Sequence, residues 1–482
     1  MSLLLGVDIG TTSTKALLLD PQRGPVAEAE RPSQLHSALP GWAEEDPDEW
    51  WANICALTRE LGHADEIAAV GVTGMVPCTI LLDSCDRPLR WSVQQNDARA
   101  GDEIDELSRR LADARVLERT GSAITQQATG PRFLWFAEYE PELWARTCTV
   151  LGSYDYIAMR LTGERAVESN WALESGLFDF RAGSWAEDIV AASGARLDLL
   201  PPIRRPEDIV GRITKQAADA TGLRSGLPVV AGTADHIGSA FAAGILEDGD
   251  VLVKLGGAGD IMLAVDEPLV DERLYLDFHL LPGRYMMSGC MATSGSLIRW
   301  FQRVLANGTD LAQLDLEADN VGPGAGGVIA LPYFLGEKTP INDPDATGAF
   351  VGLKLNHERG NVFRAVLEGI AFGFRHHLDV LVERGHAPRR VRITDGGSKS
   401  RVWTQIIADV LGLPLEKVAM RSGSAVAAAF VAGMGVGIFS DWREITGFVE
   451  VTEVVASKPN AAYDRNYTAY RALYPALKEV MS

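Results

Sequence analysis

Cysteine is scarce in this chain. Five occur in 482 residues, Cys55, Cys78, Cys85, Cys148 and Cys290, an odd number with no paired short spacing. That excludes a disulfide-stapled scaffold and a zinc site built on close cysteine pairs, and a reducing, cytoplasmic setting is expected. Positive charge is also short: 45 Lys and Arg stand against 65 Asp and Glu, a net charge of -20. Neither nucleic acid nor an anionic membrane surface is therefore an expected partner, and any anionic ligand must be held locally by backbone amides, a few cations or a metal. Charge-free runs that approach the length of a membrane span are scarce. Residues 422–440, "SGSAVAAAFVAGMGVGIFS", form one, but of Ala, Gly and Ser. The run predicts a closely packed interior helix leading into a loop, not a span of the roughly 20 residues that a bilayer requires. No basic region precedes the apolar start, which Asp8 interrupts, so no signal peptide is expected.

Several familiar motifs are missing as well. There is no P-loop, no GxSxG elbow and no HExxH pair. "GPGAGG" (322–327) has the glycine spacing of a dinucleotide turn, yet it contains proline and leads into "VIALPYF", a strand where such a fold needs a helix. Adjacent His376 and His377 on a predicted helix point in different directions and make no metal pair.

What is present, at 46% hydrophobic and 23% charged residues, suits a globular chain of at least two domains with alternating strand and helix patterns. "GVDIGTTSTKALLLD" (6–20) reads as strand, polar turn, strand. "DPDEWWANICALTRELG" (46–62) predicts a helix with Asp46 as N-cap, Pro47 at its first position, Glu49 closing a capping box and Gly62 at its end. Its buried stripe is Trp50, Ile54, Leu57 and Leu61. "IAAVGVTG" (67–74) and "TILLD" (79–83) are strands again, so the chain opens on a mixed α/β unit. Halfway along, "GDVLVKLGGAGDIMLAVD" (249–266) repeats the strand, glycine turn, strand pattern. Two similar domains facing across a cleft are expected, residues 1–245 and 246–482, with the last helix, about 460–482, returning across the first domain.

A glycine-rich hairpin turn offers consecutive amides and hydroxyls suited to phosphate oxygens, and Thr11, Thr12, Ser13 and Lys15 fit that role. Alone, the same turn could be a polar link between buried strands. Asp8 adds an acid beside it, which could hold Mg²⁺ through water. Asp235, after the apolar "LPVVAG", sits among small residues where a carboxylate could take a proton from a hydroxyl; a helix cap is the simpler alternative. "QQNDARA" (94–100) offers Asn96, Asp97 and Arg99 to sugar hydroxyls, or forms a solvated loop with a salt bridge. "TDGGSKSRVWTQIIADVLG" (394–412) predicts a strand, two glycines and a helix whose N-terminus suits an anion; its apolar face holds Trp403, Ile406, Ile407 and Val410.

In this order, and over nearly the whole chain, these segments resemble the FGGY family of carbohydrate kinases. "GVDIGTTSTKALLLD" looks like its first phosphate motif, "GWAEEDPDEWW" its early acidic helix start, "RLTGE" a mid-chain landmark and "KLGGAG" its second phosphate motif. "GAFVGLKLNHERGNVFRAVLEGIAF" (348–372) is similar to its C-terminal signature. The resemblance implies two ribonuclease-H-like, actin-type ATPase domains with ATP and Mg²⁺ in the cleft between them. It further implies Asp235 as general base, Asp8 as the magnesium-associated acid, and Gly10, Thr11, Thr12, Ser13 and Lys15 against the phosphates. Gly256, Gly257 and Gly295 are then nucleotide contacts of the second domain, with Gly396, Gly397 and Lys399 near the adenosine.

The sugar segment falls on "GVTGMVPCTILLD" (71–83). Glycerol kinases carry Arg-Glu where Val76 and Pro77 stand, and xylulokinases carry Gln-Met-His where Met75, Val76 and Pro77 stand. "NDAR", chain length and the remaining motifs are most xylulokinase-like. The expected activity is transfer of the γ-phosphate of ATP to a small sugar, a ketopentose such as xylulose, with Met75, Asn96, Asp97 and His236 on the sugar side. Ribulose or a polyol is the alternative among kinases, and an actin-like or chaperone-like ATPase acting on a protein is the alternative outside them. A homodimer is expected from resemblance alone.

Overall fold

The apolar runs Leu3–Ile9 and Ser13–Asp20 pair as an antiparallel hairpin, with Leu4 opposite Leu19 and Asp8 opposite Lys15. Every residue of the first strand is buried, as expected of a near-continuous apolar strand covered on both faces. Ile67–Gly74 joins its other edge in parallel. In this computed structural model, which describes residues 2–420 and 422–481, the chain divides into two compact units. The first comprises Met1–Gly244, Val270–Tyr285 and Arg421–Phe448, and the second Ile245–Leu269, Met286–Met420 and Val449–Ser482.

The first unit's sheet runs in the order Ile209–Arg212, Pro228–Val230, Ile67–Gly74, Leu3–Ile9, Ser13–Asp20, Gly24–Pro32, with Thr233–Ala234 also paired in parallel to Ile67–Gly74. Asp46 and Pro47 start the first helix, Pro47–Leu61, where the Asp46 carboxylate accepts from the Asp48 amide at 2.9 Å. The capping box does not form. Glu49 instead accepts from the Gln34 amide at 3.1 Å, because the segment leading into the helix brings its own orphan donor within reach. Trp50, Ile54 and Leu57 are buried, while Leu61, at the end of the last turn, is half-buried.

Residues 422–440 do contain an interior helix, Gly423–Gly435, buried through its first eleven residues. It lies on the sheet so closely that a Cβ on Gly6 would come within 1.9 Å of the Ala425 carbonyl oxygen, and one on Gly71 within 2.0 Å of that of Ala428. Backbone on both sides leaves nothing flexible to yield. Gly71→Ala is therefore expected to lower stability by about 3 kcal/mol, the upper end of ordinary overpacking, read as a lower urea midpoint at unchanged slope.

The second unit repeats the plan. Asp250–Leu255 and Gly259–Val265 form an antiparallel hairpin, Arg390–Thr394 joins the first of them in parallel, and Leu415–Ala419 follows in parallel. It is residues 421–448, rather than the last helix, that return to the first unit. The last helix, Ala461–Met481, is held in the second unit by three buried tyrosines: Arg364 donates to the Tyr463 hydroxyl at 2.7 Å, the hydroxyls of Tyr470 and Tyr333 lie 3.0 Å apart, and the Tyr467 ring packs on Phe372 with centroids 5.7 Å apart. "GPGAGG" does lead into a strand, Ile329–Leu331. Among the described residues no helix is long and apolar enough to cross a membrane.

Candidate active site

Three strands of the first unit end side by side at one edge of the sheet. Register places Asp8 opposite Thr73, and Thr73 opposite Thr233, so the phosphate-type turn, the loop from Met75 and the helix beginning at Asp235 leave from adjacent strand ends. With about 4.8 Å between strands, the first and last of these lie roughly 10 Å apart. The carboxyl ends of parallel strands are where open α/β sheets bind ligands.

Asp8 is 6% exposed, and its Oδ2 accepts from the Ser424 hydroxyl at 2.7 Å, at the start of the helix Gly423–Gly435. A hydroxyl and a helix N-terminus both favour a carboxylate there, which offsets the cost of burying it. The hydroxyls of Thr73 and Thr233, in register on the same face, are buried without a hydrogen-bond partner. Gly10, Thr11, Thr12 and Ser13 form the tight turn, closed by the Gly10 amide on the Ser13 carbonyl at 3.0 Å, and Lys15 is half-buried on the second strand.

The loop after Gly74 is held by its carbonyls. Ser153 donates to Met75 at 2.7 Å, Arg132 to Pro77 at 2.7 Å and the Trp171 indole to Cys78 at 2.9 Å. Arg132 is fully enclosed, so desolvation lowers its guanidinium to about 10, still charged at neutral pH. None of these three anchors lies in a motif that the sequence makes legible. Met75 itself is 1% exposed, packed against the strand end rather than standing open.

Asp235 is the first residue of the helix Asp235–Ala242, partly exposed, with Oδ1 3.6 Å from Nδ1 of His236. The expected alternative of a side-chain cap is not realised: Ala234 is the N-cap and no side chain caps the helix. On the far side of the His236 ring, Nε2 faces Asp277 at 3.3 Å and Glu174 at 3.7 Å. Burial works against charge on this imidazole, but the Glu174 and Asp277 carboxylates facing it more than offset that and raise it well above its usual value. Asp277 reaches the cluster because Asn170 clamps its strand, accepting from the Phe278 amide at 2.7 Å and donating to the Phe278 carbonyl at 3.1 Å. Neither Glu174 nor Asp277 lies in a sequence motif.

One sugar-side expectation is corrected. Asp97 is 2% exposed, and its carboxylate is taken up by the Ala43 amide at 2.6 Å and by the Arg99 amide, Nε and Nη2 at 3.0, 2.7 and 2.7 Å. It fastens Arg99, which also pairs with Glu44 at 2.6 Å and lies 3.8 Å over the Trp42 ring. A carboxylate so engaged has little left to offer a sugar. Asn96, beside it, is exposed.

In the second unit, Gly256 and Gly257 lie in the hairpin turn and accept from the amides of Gly295 at 2.9 Å and Ser294 at 2.8 Å. A Cβ on Gly295 would stand 2.5 Å from the Gly256 carbonyl oxygen, so only glycine permits this approach. Gly396, Gly397 and Lys399 form a 3-10 turn after Arg390–Thr394, with Lys399 exposed. The helix Arg401–Leu411 follows, capped by Ser400 on the Trp403 amide at 3.0 Å, with Trp403, Ile406, Ile407 and Val410 buried as expected.

This duplicated α/β plan with a glycine-turn hairpin in each unit is the architecture of an actin-type ATPase fold. Residues 3–242 match the N-terminal domain, and residues 260–436 the C-terminal domain, of the FGGY family of carbohydrate kinases. The chain belongs to that family, and it is an ATP-dependent carbohydrate kinase rather than a protein-directed ATPase. It is 29% identical over 487 residues to a xylulose kinase from Escherichia coli strain K12, across 99% of this chain and 100% of that one. The crystal structure of a xylulose kinase from Rhodospirillum rubrum is 46% identical and superposes with a TM-score of 0.93, covering 99% of both chains. A gluconate kinase from Lactobacillus acidophilus is similar at 25% identity and a TM-score of 0.92, covering 99% of this chain and 98% of that one.

Proposed function

We propose that this kinase phosphorylates a ketopentose of the xylulose kind in the cytoplasm, with Asp235 as general base and Mg²⁺-ATP as donor. The adjacency of three strand ends carries this reading: the phosphate turn at 10–13, the anchored loop at 75–78 and Asp235 share one edge of one sheet. A sugar hydroxyl is far less acidic than a carboxylic acid, so Asp235 takes its proton only as the new O–P bond forms. Asp8, with the buried hydroxyl of Thr73 beside it and that of Thr233 one strand beyond, has the oxygen-only donor set that Mg²⁺ prefers, and would hold the ion through water. The ion's part is to neutralise phosphate charge during transfer. Gly10, Thr11, Thr12, Ser13 and Lys15 hold phosphate oxygens, Gly256, Gly257 and Gly295 contact the nucleotide, and Gly396, Gly397 and Lys399 lie near the adenosine. Met75, Asn96 and His236 are the sugar side. Five unpaired cysteines suit a reducing compartment.

ADP release with Mg²⁺ and ATP, measured over ketopentoses, aldopentoses, polyols, glycerol and sugar acids, tests the substrate. Xylulose is expected to stimulate turnover most. Preference for gluconate, ribulose or a polyol would overturn the ketopentose assignment while leaving the kinase intact.

A further inference from the structure

The cluster beside the proposed base holds more than an ion pair. Glu174, His236 and Asp277 come from three separate segments, Ser169–Glu174, Asp235–Ala242 and Tyr275–Phe278, and each offers one ligand atom within 4.8 Å of the other two. Direct charge-assisted hydrogen bonds between such groups close to about 2.7–2.9 Å. Here Nε2 of His236 stands 3.3 Å from Asp277 and 3.7 Å from Glu174, holding neither tightly. Bonds of about 2.0–2.2 Å to a common tetrahedral ion would put its ligand atoms roughly 3.3–3.6 Å apart. The Glu174 oxygen nearest the ring is buried with no hydrogen-bond partner, although it points at the ring. The clamp from Asn170 holds the Asp277 strand in place, and a small cavity lined by Ser122, Gln127, Glu174 and Tyr275 borders the cluster at Glu174.

We propose that Glu174, His236 and Asp277 form a binding site for a first-row divalent cation of the zinc type. One imidazole nitrogen and two carboxylate oxygens suit Zn²⁺ or Co²⁺, whereas Mg²⁺ prefers oxygen ligands and retains its waters. Three protein ligands leave a fourth position open to water, and His236 directly follows Asp235 at the same helix start. The site is separate from the acid assigned to nucleotide-bound Mg²⁺, and the test below reads it with neither sugar nor nucleotide present.

The full chain, stripped with chelator and free of nucleotide, is dialysed against Zn²⁺, Co²⁺ or Mg²⁺ alone and its metal content measured. One Zn²⁺ or Co²⁺ per chain is expected, with no Mg²⁺ retained, and the Co²⁺ form is expected to show visible bands of tetrahedral coordination. His236→Ala and Asp277→Asn are each expected to weaken binding by more than about tenfold, the least that changes even beyond the ligands themselves cost. Asp8→Asn is expected to leave it unchanged. Absence of stoichiometric binding in the wild type, or binding that survives both ligand substitutions in folded protein, would overturn the site and leave an ion-paired imidazolium.

Discussion

Asp235→Ala is expected to reduce sugar-dependent turnover by about 10²–10⁴-fold, the range a positioned general base supplies. The loss should fall on kcat, with nucleotide affinity unchanged, because the turn at Gly10–Ser13 and the turn at Gly256–Gly257 belong to other segments. Asp235 is partly exposed and accepts no capping hydrogen bond from its helix, so the fold should tolerate the change. Steady-state ADP release beside nucleotide titration would distinguish the cases. Turnover retained within tenfold would remove Asp235 from the role of base.

The second large effect concerns stability. Asp97→Ala removes the main partner of a guanidinium whose side chain is 1% exposed, and should destabilise the first unit by about 3–5 kcal/mol, the usual cost of breaking a buried pair. Glu44 stays beside Arg99, but the Ala43 amide also loses its acceptor. Urea denaturation should show the midpoint fall, while KM for the sugar in protein that remains folded should change little. A variant of normal stability with a greatly raised KM would restore Asp97 to the sugar side.

The same pair of residues shows how far sequence alone reaches. Both hairpins were legible because glycine and threonine interrupt two apolar runs, and local chemistry decides such turns. "NDAR" was ambiguous because its meaning depends on Glu44, Ala43 and Trp42, which only the folded chain brings to it. The Glu49 capping box failed for a related reason, since a backbone amide from Gln34 took the carboxylate first. Glu174 and Asp277 were silent, lying in unrelated segments until Asn170 ties one to the other. The tyrosines of the last helix gave no hint of which unit they would bury against.

The loop at 75–78 has a consequence for how such an enzyme changes its diet. Ser153, Arg132 and Trp171 grip carbonyl oxygens, which every residue possesses whatever its side chain. Its course is thus fixed through main-chain atoms of Met75, Pro77 and Cys78 rather than through their side chains. Side chains of similar volume can be exchanged at these buried positions over generations while the phosphate turn and the acid on the neighbouring strands keep their places.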